Sequence, residues 1–155
     1  MERWKARGAV WGAVMASTLA WSGASEAALT ASEKGTIKDA FSAAQPSQAA
    51  RVRALVARPD LAPEETEEAL RGGLEPVRFD EARSAFVREL AFGQSSAASR
   101  PAFAPGLVGA LLSRADAVLT RRVNEADPHG GDEAAAIYAE VARLTGGSRA
   151  IDPQL

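Results

Sequence analysis

Apolar side chains recur at spacings of three and four residues through most of the chain after residue 28, and this pattern limits the fold more than any other feature. Such spacing lines one face of an α-helix, whereas a half-buried strand needs alternating apolar and polar residues. No run of alternating β-branched residues bounded by turn dipeptides is present in the sequence. We therefore predict an all-α protein, either a small irregular bundle or stacked helical hairpins of about six helices.

Capping residues, prolines and glycines divide this pattern into segments. The predicted start signals are the Thr30–Glu33 capping box, Ser47, Pro63, Asp80, Pro105 and Asp132. The predicted end signals are Pro46, Pro59-Asp60, Gly72-Gly73, Gly93, the stretch Asp127–Gly131 and Gly146-Gly147. The helix that starts at Pro105 is the longest, and we expect it to be the central helix.

Two sets of contacts between helices are also predicted. Because the turn between them is short, the second and third helices should form a hairpin in which arginines of one pair with glutamates of the other. These residues are Arg51, Arg53 and Arg58 on the second helix and Glu64, Glu65, Glu67 and Glu68 on the third. Four phenylalanines should pack on the apolar stripe of the fifth helix, and they are Phe79, Phe86, Phe92 and Phe103.

The first 27 residues have the three parts of a secretory signal peptide. The parts are a positive start with Arg3, Lys5 and Arg7, an uncharged run over residues 8–21, and a small-residue stretch over residues 22–27. We expect cleavage after Ala27, with the position after Ala24 as the alternative. The uncharged run is shorter than the roughly 20 residues of a membrane-spanning helix, so a retained anchor is less favoured than a cleaved signal. A start codon assigned too early is a third, less favoured alternative.

The signal pattern predicts export to the periplasm or to the outside of the cell, and the excess of arginine and alanine is typical of a GC-rich bacterial genome. Residues 28–147 should form a single helical domain, since neither side of the polar segment 94–100 is long enough to bury a good core alone. Residues 94–100 contain no large apolar side chain and are predicted to be a flexible joint. Residues 148–155 are predicted to be a C-terminal tail.

Composition excludes several chemistries. The chain has no cysteine, so disulfides, thiolate metal sites and cysteine nucleophiles are excluded. A formal net charge of -2 provides no field that attracts nucleic acid, and membrane contact is expected only if the signal segment is retained. All three tryptophans lie within residues 1–27, and His129 is the one histidine of the chain. We expect no cofactor, and no repeat or motif of a known family is evident.

The stretch 124–133 is the strongest candidate for a binding site. It concentrates oxygen ligands and the imidazole, and Asp127, His129 and Asp132 are the candidate ligands of a hard cation. The same residues also suit a turn and a helix start without any metal. Their spacing matches no metal loop, and the Gly-x-Ser-x-Gly elbow of serine hydrolases is absent, so we expect neither a metal site nor a catalytic residue.

Two functional interpretations from different classes follow. The favoured one is an exported, non-catalytic helical protein that binds a protein partner or an envelope component through an apolar helix face. The alternative is a small ligand- or cation-binding domain, or a carboxylate-based enzyme, centred on residues 124–133. A third interpretation is a helical or regulatory piece of a larger exported assembly.

Overall fold

The structure is a computed structural model that describes residues 27–93 and 101–146. Within these two ranges the chain forms six α-helices and no strand, which confirms the all-α prediction. The helices are α1 (Ala31–Ala43), α2 (Pro46–Val56), α3 (Pro63–Leu74), α4 (Glu81–Phe92), α5 (Ala104–Glu125) and α6 (Gly130–Thr145). The predicted signal segment apart from Ala27, the joint at 94–100 and the tail at 148–155 lie outside the described residues.

Each helix has its main contacts with two others, and these contacts connect the six helices in a closed ring. The order around the ring is α1, α2, α4, α6, α5 and α3. All six helices contribute buried residues to one hydrophobic core. The longest helix, α5, has 22 residues and packs against α3 and α6. No helix in the described ranges is long and apolar enough to cross a membrane.

Several predicted helix ends are confirmed by local hydrogen bonds and dihedral angles. Thr30 and Glu33 form a reciprocal capping box at the start of α1. Asp80 caps α4, since its Oδ1 accepts a hydrogen bond from the Arg83 amide at 3.0 Å. Gly146 ends α6 with a φ of 78°, a conformation that glycine adopts without strain. These ends depend on residues adjacent in sequence, so local patterns were sufficient to locate them.

Two predicted helix starts were wrong by a few residues. The second helix, α2, begins at Pro46, and Ser47 does not cap it. Proline at the first helical position has a suitable φ and lacks an amide that would otherwise be unpaired, so Pro46 starts a helix instead of only stopping one. The last helix, α6, begins at Gly130, so Asp132 lies in its first turn and is not its cap.

The predicted end of α3 and the predicted α2–α3 hairpin were also wrong. The helix continues through Gly72-Gly73 to Leu74. A Cβ atom at Gly73 would lie 2.6 Å from Cδ2 of Phe41, so the glycine allows α1 to approach α3 closely. Because α3 has its main contacts with α1 and α5, it is not paired with α2.

The predicted phenylalanine cluster on α5 does not form as expected. Phe92 is 40% exposed, whereas Phe79 and Phe103 are buried. The ring of Phe86 packs edge-to-face against Phe41 of α1, with centroids 5.0 Å apart. The main contacts of α5 are with α3 and α6, and those of α4 are with α2 and α6. The aromatic face of α4 therefore meets α1 inside the ring of helices.

Candidate functional site

The 124–133 stretch connects α5 to α6, and its candidate ligands do not form a common centre. Asp127 Oδ1 accepts a hydrogen bond from the His129 backbone amide at 3.0 Å, and its Oδ2 lies 3.6 Å from Nε of Arg121. His129 and Asp132 are exposed. Within residues 27–93 and 101–146, no group of three or more histidine, aspartate and glutamate residues is placed to hold a metal ion. Asp127 therefore stabilises the turn itself.

Glu133, at the end of the same stretch, is buried in an ion pair with Arg114. Its Oε1 accepts hydrogen bonds from Nη2 (2.7 Å) and Nε (3.2 Å) of Arg114 and from the Phe79 amide (2.8 Å). Its Oε2 accepts a hydrogen bond from Nη2 of Arg121 at 3.3 Å. Arg114 also donates from Nη1 to the Glu75 carbonyl at 2.8 Å. These bonds connect α6 with α5 and with the segment between α3 and α4.

A second buried carboxylate, Glu140, lies two turns further along α6. Its Oε1 accepts hydrogen bonds from the Ser84 hydroxyl of α4 and from Nη1 of Arg143. Nε of Arg88 lies 3.7 Å from the same oxygen. The other oxygen, Oε2, is buried and has no hydrogen-bond partner among the described residues. Glu140 therefore joins α6 to α4.

The sequence pattern placed Glu133 in the 124–133 stretch and at a helix start, and neither Glu133 nor Glu140 was predicted to be buried. The sequence does contain a pattern that indicates their burial, because both glutamates follow the helical spacing of Ile137 and Val141 on the buried face of α6. A charged residue in line with an apolar stripe predicts a buried charge, and a buried charge needs a partner of opposite sign. The arginines at 114 and 143 could then have been considered as partners.

Neither buried carboxylate has surroundings suited to acid–base catalysis. A catalytic acid or base must come within hydrogen-bond reach of its substrate. Glu133 is 3% exposed and Glu140 is 1% exposed, and an arginine donates a hydrogen bond to Oε1 of each. The Ser84 hydroxyl, although bonded to a carboxylate, belongs to a residue that is 5% exposed. The observed geometry is that of ion pairs that hold helices together.

The acidic start of α3 pairs with α1. Lys34 Nζ lies 2.9 Å from Oε1 of Glu65 and 3.4 Å from Oε1 of Glu68. The same Glu65 oxygen accepts a hydrogen bond from the Leu29 amide at 3.1 Å. The hydrogen bond from the Lys34 ammonium lowers the pKa of Glu65, and in return Glu65 raises the pKa of Lys34.

The arginines predicted to pair with this acidic cluster have other partners, so that prediction was wrong. Arg53 donates from Nε to the Leu90 carbonyl of α4 at 2.9 Å. Arg58 pairs with Asp60 (Nη2–Oδ2 2.8 Å) and with Glu33 (Nη1–Oε1 3.3 Å). The Arg58 hydrogen bond lowers the pKa of Asp60. The pKa of Glu33 is lowered first by the hydrogen bonds from Thr30 and further by the Arg58 charge.

An apolar concavity lies where the ends of three helices meet. It is formed by the C-terminal end of α2, the loop after it, and the N-terminal ends of α3 and α5. Its volume is about 400 Å³. We call it the proline groove, and its apolar lining includes Val56, Pro59, Leu61, Pro63, Phe103 and Pro105.

The local structure explains why this groove is open and mainly apolar. Pro63 and Pro105 stand at the starts of α3 and α5, where their rings line the surface without offering an amide donor. α3 and α5 approach closely here, since a Cβ atom at Gly106 would lie 3.3 Å from Cγ2 of the buried Thr66. The charged side chain in the lining, Arg58, is already paired with carboxylates.

Comparison with known proteins adds no relative. No family model, no curated protein and no solved structure matches the chain.

Proposed function

We propose that this chain is an exported, non-catalytic helical protein that binds an apolar segment of a protein partner in the proline groove. The observation that carries the proposal is the mainly apolar lining of this concavity, since many of the other exposed residues of the described chain are charged. Ligand clefts of about 300–1,000 Å³ usually have mainly apolar walls, and the groove shares this size and this kind of lining.

The chemistry of the lining points to an apolar partner. The exposed prolines of the lining, Pro59, Pro63 and Pro105, are rigid and lose little conformational entropy on binding, which favours contact with apolar side chains. Arg58 is held by Asp60 and Glu33, so binding an anion there would require breaking existing ion pairs. A mainly apolar concavity whose one charged lining residue, Arg58, is already paired fits an apolar protein segment better than a charged metabolite.

The alternative, a cation-binding or carboxylate-based site at 124–133, has less support. Asp127 and Glu133 already bind protein donors, and His129 and Asp132 are exposed without a shared centre. Export itself is supported by the signal-peptide pattern of residues 1–27.

Site-specific photo-crosslinking in the host cell tests the groove. A benzophenone side chain is placed at Ala57 or Ala102, two exposed positions of the groove lining, and at Ala54 on the exposed part of α2 outside the lining as the control. We expect the same partner protein to be captured from positions 57 and 102 but not from 54. The substitution Ala102→Glu should weaken this association at least tenfold, roughly 1.4 kcal/mol, while Ala54→Glu should not.

Circular dichroism accompanies the charge variants, so that loss of folding is not mistaken for loss of binding. Equal capture at all three positions would contradict the proposal, as would an Ala102→Glu variant that is folded and binds the partner at full strength.

A further inference from the structure

A second concavity lies between α1 and α2 and shares no lining residue with the proline groove. We call it the α1–α2 cleft, and its lining residues are Thr36, Asp39, Ala40, Gln48, Arg51 and Val52. Its volume is about 240 Å³. A water molecule takes up roughly 30 Å³ in the liquid, so the cleft has room for about eight waters or for one ligand of amino-acid size.

The cleft lining contains one acidic and one basic side chain that do not pair with each other. Asp39 of α1 and Arg51 of α2 are both exposed. Within residues 27–93 and 101–146, neither side chain has a hydrogen-bond partner or an ion-pair partner within 4.0 Å. The carboxylate and the guanidinium are therefore separated by open space, and a ligand that carries both charges would find a partner for each.

The cleft lining also offers three oxygen acceptors, which matches the three N–H donors of a primary ammonium group. The first acceptor is the Asp39 carboxylate. The second is Oε1 of Gln48, a buried atom with no hydrogen-bond partner among the described residues. The third is Oγ1 of Thr36, which donates its proton to the Ser32 carbonyl at 3.0 Å and keeps its lone pairs as acceptors. A buried acceptor without a donor is costly, and a ligand N–H placed against Gln48 removes that cost.

We infer that the α1–α2 cleft binds a free α-amino acid with a small, uncharged side chain. The ammonium group of the ligand is held by Asp39 and Gln48, and its carboxylate is held by Arg51, whose planar guanidinium donates two parallel hydrogen bonds to such a group. The buried Ala40 and Val52 form the apolar part of the lining, which suits a small side chain. This site goes beyond the proposed function, because it takes a small zwitterion and not a segment of a protein.

Titration with three amino acids tests the site. L-Alanine, L-serine and L-valine are each added to the ¹⁵N-labelled protein purified from its host, and the amide chemical shifts are followed by NMR. We expect saturable shifts for at least one of them, confined to amides around the cleft in α1 and α2. Sodium acetate and methylammonium chloride each carry one of the two charges, so they should bind at least tenfold more weakly.

Matched variants test the two charged partners. Asp39→Asn and Arg51→Gln should each weaken amino-acid binding at least tenfold, because each removes a charge-assisted hydrogen bond. Asp116→Asn and Arg78→Gln remove exposed charges outside the cleft lining and should leave binding unchanged. Circular dichroism checks that all four variants are folded, which is expected because these side chains are exposed.

Three results would overturn the inference. They are no saturable binding of any of the three amino acids, acetate or methylammonium binding as tightly as the amino acid, and full-strength binding by a folded Asp39→Asn or Arg51→Gln variant. The groove variant Ala102→Glu should bind the amino acid normally, since Ala102 is outside the cleft lining. Failure of the cleft and failure of the groove are therefore distinguishable.

Discussion

Replacing Arg114 by methionine should destabilise the fold more than the loss of any surface ion pair. The Arg114 and Glu133 side chains are 7% and 2% exposed, with Nη2–Oε1 at 2.7 Å. Methionine fills part of the arginine volume but leaves the Glu133 carboxylate buried with only the Phe79 amide and the Arg121 guanidinium as donors. The Glu75 carbonyl also loses its donor.

The size of the effect follows from the burial of both partners. Removing one member of a buried ion pair costs about 3–5 kcal/mol, because the remaining charge is left without its partner in a poorly solvated site. A domain of this size is stable by only about 5–15 kcal/mol, so the Arg114→Met variant should keep a small part of its stability or unfold. Urea unfolding followed by circular dichroism measures this, since the chain after residue 27 has no tryptophan.

A double-mutant cycle separates loss of the pair from loss of side-chain packing. The double variant Arg114→Met, Glu133→Leu removes both charges and leaves the Phe79 amide without its acceptor, which costs about 1–3 kcal/mol. This cost is smaller than the cost of leaving the Glu133 charge buried without Arg114, about 3–5 kcal/mol, so the double variant should be more stable than Arg114→Met alone. Lys34→Met, which removes the more exposed Lys34–Glu65 pair, is the control and should have a much smaller effect. If Arg114→Met destabilises the protein no more than Lys34→Met, the account of the buried pair is wrong.

Three further predictions use other features of the fold. Gly73→Ala should destabilise the protein by about 1–3 kcal/mol, because the new Cβ would lie 2.6 Å from Phe41. A Cβ at Gly72 would have nothing within 4 Å, and alanine has the higher helix propensity, so Gly72→Ala should raise stability by about 0.5–1 kcal/mol in the same urea assay. The surface carboxylates with lowered pKa values contribute stability above their unfolded values of 3.8 to 4.5, so the free energy of unfolding should fall as the pH drops below about 4.5. Glu65→Gln should flatten that slope, and an unchanged slope would argue against this origin. Millimolar calcium or magnesium should leave the thermal midpoint unchanged, and a clear rise would instead indicate a cation site at 124–133.

Features determined by neighbouring residues could be predicted from the sequence. The capping box at Thr30 and Glu33 and the Asp80 cap involve residues three positions apart, and both form as expected. The number of helices and the length of α5 also follow from local apolar spacing. No residue at a distance was needed to decide these features.

Features determined by which helices meet could not be predicted in the same way. Gly73 resembles a helix-ending glycine until Phe41 of α1 is placed against it. Phe86 of α4 was predicted to pack on α5, but its ring packs on Phe41 of α1. The short turn after α2 suggested a hairpin, yet α3 packs on α1 and α5. Each error came from assuming that neighbours in sequence are neighbours in space.

The two buried glutamates show why the acidic residues of α6 are poor candidates for catalysis and why the groove is the better candidate for function. Protonating Glu133 to use it as an acid would remove the charge that balances the buried Arg114, so chemistry there would work against the packing of α5 on α6. Arg114 and Gly106 are eight residues apart on α5, about 12 Å along the helix axis. The same helix thus has a buried ionic contact with α6 in its middle, where Arg114 lies, and an open apolar groove at its start. An apolar segment bound at the start of α5 would therefore leave the contact between Arg114 and Glu133 in place.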